Sequence, residues 1–319
     1  MNLFSGWKEL KSIINAFHYG DTQGGDFFNS KIESIYQHFL GFNDAQIEQL
    51  KEWYKANNNI EQLCDNNPAV VPVTYQQLEL FNKPLSDEIK SFFKKLYGDD
   101  ILALKAVRDK IGKIDDHYDQ FMHTNTKGKC PFCGLSDVKG VHHSKREAYD
   151  HYLPKGIYPF NSINFYNLAP MCNECNSSYK LAKDPLNDGI GDRRRSFYVY
   201  SNIINIPYVA ITLASNDINN LTPTDINLSM TSATHQEHVD TWMDVYGLDE
   251  RYKAKCISET DGKYWYTQIL EEAGNYGKTP KEALGIRKTQ ATKYPFSDTN
   301  FLRKPFLEAC ESVGLFDAS

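Results

Sequence analysis

Two Cys-x-x-Cys pairs in the middle of the chain could bind a metal ion. They are Cys130 with Cys133 and Cys172 with Cys175, separated by 38 residues, and each pair can direct two thiolates at one ion. Four thiolates would complete a closed tetrahedral zinc site with no open position for a substrate. We therefore predict a structural zinc ion. The alternative, a thioredoxin-like redox pair, does not account for the second Cys-x-x-Cys.

An Asp-His pair, Asp150-His151, lies between the two cysteine pairs and could do acid–base chemistry. An imidazole with an ordinary pKa of about 6.5 can take a proton from water at neutral pH, so His151 is a candidate general base. Phosphodiester hydrolysis also gathers negative charge, which a hard divalent cation with oxygen ligands can neutralise. Asp150 and Asn176 supply such oxygens, and an asparagine favours Mg²⁺ or Mn²⁺ over zinc.

The order of these residues resembles the HNH (ββα-metal) endonuclease family, in the group that carries two zinc-binding Cys-x-x-Cys pairs. The match covers 51 residues, from Cys130 to Lys180. Besides the cysteines it consists of Asp150-His151 with Leu153-Pro154, Asn167-Leu168-Ala169-Pro170, and Asn176 with Lys180. The third motif position, often histidine in the family, is Asn176 here.

The resemblance implies a role for each matching residue. His151 would activate water, Asp150 and Asn176 would bind a catalytic Mg²⁺ or Mn²⁺, and Asn167 would orient His151. The products would be a 5′ phosphate and a 3′ hydroxyl. A finer similarity, to the HNH proteins of Septu-type and retron-associated anti-phage systems, implies a defence nuclease that cleaves DNA and works beside an ATPase partner.

Basic residues near these motifs could contact the phosphates of a nucleic acid. We predict such contacts for Lys180 and Lys183, and a solvated basic face is an equal alternative for Arg193–Arg195. The whole chain has a net charge of −6, but residues 127–195 carry eleven Lys/Arg against seven Asp/Glu, a local charge of +4 that leaves −10 for the rest. Only the middle of the chain therefore has the positive charge that binding to phosphate requires.

The flanking sequences indicate the fold class. Residues 1–125 have apolar residues at three- and four-residue spacings, which predict a helical N-terminal region. Residues 126–195 change to polar, Gly-rich turns and form the predicted zinc-stabilised HNH module. Residues 196–319 predict a mostly helical C-terminal region with short strands near 208–215 and 225–230. We expect an α+β fold, predominantly α-helical, with a small ββα-metal module in the middle.

Within the helical flank, the first predicted helix covers residues 6–17. Asn43, Ser86 and Asp100 stand where N-caps are expected. A second Asp-His, Asp116-His117, lies on a helical pattern and is predicted to belong to a helix surface.

Composition excludes several classes of protein. The 319 residues are 41% apolar and 13% aromatic, enough for a folded core. No apolar run is long enough for a membrane span or a signal peptide, so we expect a cytoplasmic protein with no membrane contact. Cys64, Cys256 and Cys310 are expected to be buried reduced thiols. The alternative to a nuclease is a zinc ribbon that is catalytically inert and only binds nucleic acid or a partner protein.

Overall fold

The computed structural model describes residues 23–98, 108–109, 112–191, 193–202 and 206–317, with side chains from residue 30 onwards. The helix predicted at residues 6–17 and the N-cap predicted at Asp100 lie outside these ranges. The fold is α+β and mostly helical, with two small antiparallel sheets. The coarse fold class is thus confirmed.

The chain forms two compact units. One consists of residues 1–128 and 138–201, and the other of residues 129–137 and 202–319. The predicted boundaries at 125/126 and 195/196 lie close to the ends of these segments. The N-terminal helices and most of the predicted HNH module, however, share one unit, while a short piece that contains the first cysteine pair belongs to the other.

The first unit begins with a series of helices. These are α1 (Gln23–Phe39), α2 (Asp44–Asn58), α3 (Ile60–Cys64), α4 (Tyr75–Tyr97) and α5 (Ile114–Thr124). Helix α2 starts at the predicted N-cap, because the Asn43 side chain accepts a hydrogen bond from the Gln46 backbone and the Gln46 side chain accepts one in return. Helix α5 contains the predicted helical pair Asp116-His117.

Helix α4 has a kink that the sequence pattern placed incorrectly. Ser86 was predicted to cap a helix, yet it is fully buried inside α4. The cap is Asn82, which has non-helical backbone angles and accepts a hydrogen bond from the Leu85 amide at 2.9 Å. Pro84 follows Asn82 in the first turn of the second segment, where the missing amide proton of proline has no cost.

The core of this unit includes part of the predicted HNH module. Apolar residues of α2 and α4 pack around Phe160, a loop residue with a left-handed backbone (φ 77°). The buried Asn57 side chain donates to the carbonyl oxygens of Val73 and Pro159, at 2.8 and 2.9 Å. Because one amide bridges the two segments, the loop after the Asp-His motif is fixed directly to the N-terminal helices.

The second unit carries the other sheet and the remaining helices. Strands β3 (Tyr208–Leu213) and β4 (Ile226–Thr231) lie where the sequence predicts short strands, and they pair antiparallel with Tyr208 opposite Thr231. The helices are α6 (Gln236–Tyr246), α7 (Leu248–Ile257), α8 (Gly262–Asn275), α9 (Pro280–Lys293) and α10 (Asn300–Ser312). The three remaining cysteines of the chain, Cys64, Cys256 and Cys310, are buried and free, as expected.

Candidate functional site

The Asp-His motif lies on a two-stranded antiparallel sheet. Strand β1 (Tyr149–His151) pairs with β2 (Leu168–Pro170), so that His151 is opposite Leu168 and Asp150 is opposite Ala169. A short π-helix (Cys175–Lys180) follows β2. Every residue of both strands is buried. Adjacent side chains in a strand point to opposite faces, so Asp150 and His151 are both covered only because protein packs on each side.

The imidazole of His151 is held in one orientation by a backbone carbonyl. Its Nε2 lies 2.9 Å from the carbonyl oxygen of Ser162, and His151 is 8% exposed. A carbonyl oxygen can only accept, so Nε2 carries the proton and Nδ1 of the neutral ring keeps its lone pair. Burial lowers the pKa of His151 to about 3, helped by the positive charges of Lys155 and Lys180 and opposed by the hydrogen bond to Ser162. The ring is therefore neutral at physiological pH and has a free proton acceptor.

A tyrosine from the N-terminal helices forms one wall around this histidine. Tyr97, the last residue of α4, packs edge-on against His151, with ring centroids 4.2 Å apart and planes at 72°. The Lys155 ammonium in turn lies 4.4 Å from the centre of the Tyr97 ring. Neither Tyr97 nor Lys155 was among the predicted site residues.

Asp150 is paired with a buried lysine. Lys180 Nζ lies 2.8 Å from Asp150 Oδ2 and donates to the carbonyl oxygen of His151 at 3.0 Å. The two side chains are 0% and 7% exposed. Burial raises the pKa of Asp150, while the charge and the hydrogen bond of Lys180 lower it. Lys180 is therefore not placed for the predicted phosphate contact. Its ammonium is enclosed in the protein and bound to Asp150, so it does not face a nucleic acid.

The π-helix explains why Lys180 points inward. An α-helix that begins near Cys172 would place Asn176, Lys180 and Lys183 on one exposed face, as the predicted phosphate contacts of the two lysines require. In the structure the amide of Leu181 bonds five residues back to Asn176, and the segment ends at Leu181 with a left-handed backbone (φ 49°). A wider turn changes which side chains share a face, and such turns are rare. Lys183 remains exposed, so its phosphate contact stays a prediction.

Asn167 holds the loop that follows the motif and makes no contact with the His151 ring. Its buried side chain accepts from the Leu153 amide at 2.8 Å and donates to the Leu153 carbonyl at 3.0 Å. Its own carbonyl accepts from the Tyr152 amide at 2.8 Å. Asn167 thus fixes the two residues after His151, and its effect on the histidine is indirect.

Asn176 is half-buried, and its side chain has no hydrogen-bond partner in the part of the chain that the structure describes. A carboxamide oxygen in this state is available to a hard cation. Within the described ranges, however, the only group of three or more His, Cys, Asp or Glu ligands close enough for one ion is the cysteine set. A catalytic Mg²⁺ or Mn²⁺ at Asp150 and Asn176 therefore stays a prediction.

The four predicted zinc ligands do come together. The sulfur atoms of Cys130, Cys133, Cys172 and Cys175 all lie within 4.8 Å of one another, and all four residues are buried. A tetrahedral ion with Zn–S distances of about 2.3 Å needs sulfur atoms about 3.8 Å apart, so the cluster can hold a metal such as zinc.

The backbone around the cysteines has the turns that such a site needs. Gly134 directly follows the first pair with a left-handed backbone (φ 67°), which glycine adopts without strain, and its amide bonds the Cys130 carbonyl at 2.8 Å. In the second pair, the Cys175 amide points at the Cys172 sulfur at 3.5 Å. An amide that donates to a thiolate stabilises its negative charge.

The arginine run has a structural role that the sequence did not indicate. Arg193 donates to the carbonyl oxygens of Val70 and Leu63 at 2.7 and 3.1 Å, and Arg195 donates to that of Asp65 at 3.2 Å. These carbonyls lie at and after the end of α3, where helical partners are missing. Arg193 and Arg195 therefore bind the backbone of the same unit. Neither of the two predicted alternatives, a phosphate contact or a solvated basic face, included this role.

The remaining carboxylate and histidine near the motif also have structural contacts. Glu147, two residues before β1, accepts from Lys139 Nζ at 3.0 Å. His117 lies 2.7 Å from the Tyr149 hydroxyl and packs against Phe165, so it is half-buried on its helix.

Comparisons with known proteins give little further guidance. No protein-family model matches the chain, and no solved structure resembles it. The protein ea31 of Escherichia phage lambda is 33% identical over 88 residues, which is 27% of this chain and 25% of the phage protein. The chain thus matches about a quarter of that relative's length. None of the helices in the described ranges has the length and apolar character that crossing a membrane requires. The chain is thus similar to a phage protein over a limited segment.

Proposed function

We propose that the protein is a metal-dependent endonuclease of the HNH type, which hydrolyses DNA with His151 as the general base. One observation carries this proposal: the Nε2 contact with Ser162 leaves Nδ1 of a neutral imidazole as a proton acceptor. The ring lies at the end of a two-stranded sheet that is followed by a short helix, and Asp150 precedes it in the strand. This order of parts supports the resemblance to the ββα-metal nucleases.

Each residue of the site has a separate role in the proposed reaction. His151 Nδ1 takes a proton from water as the water attacks phosphorus, and the Ser162 carbonyl stabilises the imidazolium that forms. Asn167 keeps the following loop in place through Leu153. Burial makes the free His151 a weak base, and a phosphate anion bound beside it would raise its pKa towards neutrality. Binding of the substrate would thus raise the basicity of His151 for the reaction.

A divalent cation would supply the charge stabilisation that these residues lack. When bound by Asp150 and Asn176, Mg²⁺ or Mn²⁺ would neutralise the negative charge that develops on the phosphate and the leaving oxygen. Asp150 Oδ2 already contacts Lys180. Two protein ligands, with water and substrate completing the shell, are a usual arrangement for Mg²⁺.

A plasmid assay tests the proposal. Supercoiled plasmid incubated with the protein and Mg²⁺ or Mn²⁺ should be nicked or linearised, the ends should carry 5′ phosphates, and excess EDTA should stop the reaction. The structural zinc would hold the fold in both conditions if the chelation is brief. Plasmid that stays intact with either cation, while a gel-shift assay shows binding, would instead establish the inert zinc-ribbon alternative.

The biological setting is a further part of the proposal. The resemblance to anti-phage HNH proteins favours a cytoplasmic defence nuclease that an ATPase partner presents to DNA or gates. The acidic body of the chain, which carries −10 outside residues 127–195, supports weak DNA binding by the free protein. Equal plasmid cleavage by the isolated protein and by its complex with the ATPase from the same operon would contradict gating.

A further inference from the structure

The surface next to His151 contains a lysine that has no acidic partner. Lys155 is exposed, four residues after His151, and it forms no ion pair with any residue that the structure describes. Its ammonium lies over the face of the Tyr97 ring. An ammonium held against an aromatic face is fixed in place without being neutralised, because the ring offers a quadrupole and no formal charge.

The backbone that carries Lys155 is anchored on both sides. Before it, Asn167 binds both backbone groups of Leu153. After it, the Ile157 carbonyl accepts from the Tyr75 amide at 2.8 Å, and the Tyr158 hydroxyl donates to Asp184 at 2.6 Å. An exposed lysine usually loses side-chain entropy when it binds a ligand, and anchoring of its backbone and contact with a ring reduce that loss.

Positive charge is concentrated at this position. Lys94, one helical turn before Tyr97 on α4, is also exposed. Partial burial lowers the pKa of Lys155, and the positive charge of Lys94 lowers it further. Two ammonium groups that repel one another close to a general base favour binding of an anion between or beside them.

The distances suit a phosphodiester. Tyr97 lies 4.2 Å from the His151 ring centre and Lys155 Nζ lies 4.4 Å from the Tyr97 centre, so the ammonium is within about 9 Å of the imidazole. A base contacts its water at about 3 Å, water attacks phosphorus from about 3–3.5 Å, and a phosphate oxygen meets an ammonium at about 2.8 Å. The path from the imidazole through the water, the phosphorus and one P–O bond to the ammonium is about 10 Å along its links and shorter across its bends, so a separation of up to about 9 Å can hold it.

We propose that Lys155 binds the scissile phosphate and that Tyr97 is the positioning residue that holds Lys155 and His151 on either side of the reacting water. The proposal rests on the proposed nuclease function, since it names the residue that recognises the substrate of that site. The ligand is a backbone phosphodiester, so recognition through Lys155 is independent of base sequence.

Binding in the absence of cleavage tests Lys155 separately from catalysis. A short fluorescein-labelled DNA duplex is titrated with the wild type, Lys155→Gln and Lys90→Gln, without added Mg²⁺ or Mn²⁺, at several salt concentrations. Lys90 is the matched control, because its ammonium also lies over a tyrosine ring, Tyr75, at 5.3 Å, on the same helix as Tyr97. Lys155→Gln should weaken binding and reduce the slope of log K against log salt by about 1. Lys90→Gln should leave the slope unchanged.

Cleavage with Mn²⁺ gives the second measurement. At saturating DNA, Lys155→Gln should lower the rate at least tenfold and Lys155→Arg should recover most of it, while Tyr97→Phe should retain the rate that Tyr97→Ala loses. A wild type that cleaves DNA while Lys155→Gln matches it in salt slope and rate would overturn this inference alone. If the wild type binds DNA through Lys155 but never cleaves it, the nuclease proposal fails and the phosphate contact stands. A wild type that neither binds nor cleaves contradicts both.

Discussion

The buried pair of Asp150 and Lys180 gives the sharpest prediction about stability. The substitution Lys180→Met keeps the length and apolar character of the side chain and removes its charge. It leaves an unpaired carboxylate that is 7% exposed and a His151 carbonyl without its 3.0 Å donor. Removing one partner of a buried ion pair costs about 3–5 kcal/mol, and the lost hydrogen bond adds about 1 kcal/mol. We expect the free energy of unfolding to fall by about 5 kcal/mol.

Urea unfolding followed by far-UV circular dichroism measures this change. Lys183→Met, which alters an exposed lysine three residues further on, should stay within about 0.5 kcal/mol of the wild type. In the double variant Lys180→Met with Asp150→Asn neither charge of the pair remains, so the total loss should be only about 1–2 kcal/mol. The two single substitutions should therefore be strongly coupled.

The pH dependence of the stability of Lys180→Met tests whether an unpaired Asp150 carboxylate causes the loss. Without Lys180, burial alone acts on Asp150, so its pKa in the folded state should rise further above the ordinary value. A raised pKa means that the native state binds the proton more tightly than the unfolded state, so the loss of stability should shrink as pH falls from about 7 to about 4. A single variant as stable as the wild type, or a loss independent of pH, would refute the assignment of a charged buried pair.

Three further predictions concern the zinc cluster, the loop clamp and Asp184. Cys172→Ser should reduce bound zinc, measured by atomic emission, from one ion per chain to less than about a tenth, because three thiolates and a hydroxyl bind zinc far more weakly. Asn167→Ala should cost about 2–3 kcal/mol in urea unfolding, since both backbone groups of Leu153 lose a buried partner. Burial raises the pKa of Asp184 while the Tyr158 hydroxyl lowers it, so a ¹³C carboxyl NMR titration should find it above 3.8 and higher still in Tyr158→Phe. A pKa that falls in Tyr158→Phe would contradict that assignment.

The sequence predicted those parts of the site that depend on local chemistry. The four cysteines were grouped correctly, because Cys-x-x-Cys spacing is set by a short turn that the sequence itself specifies. The strands at 208–213 and 226–231 follow from alternating apolar residues. Asn43 was predicted as a cap, and the structure adds its capping-box partner Gln46, three residues away.

The parts that failed depend on tertiary contacts or on an unusual turn. Lys180 was placed on an exposed face because α-helical periodicity was assumed, and one wider turn moves it into the interior. Tyr97 is 54 positions before His151, so no local pattern connects the two rings. Ser162 contributes a backbone carbonyl, which any residue has, and Arg193 binds carbonyls exposed by the end of α3. Any residue type can make a contact through its backbone atoms, so the sequence does not indicate such contacts.

Substitution of His151 tests the central claim most directly. Plasmid cleavage with Mn²⁺ should fall by at least about a hundredfold in His151→Ala, since a general base contributes about 10²–10⁴ to the rate. The exposed His142→Ala should cleave like the wild type, and both variants should retain one zinc ion per chain. Cleavage by His151→Ala at the rate of the wild type, with its zinc content intact, would contradict the assignment of His151 as the base.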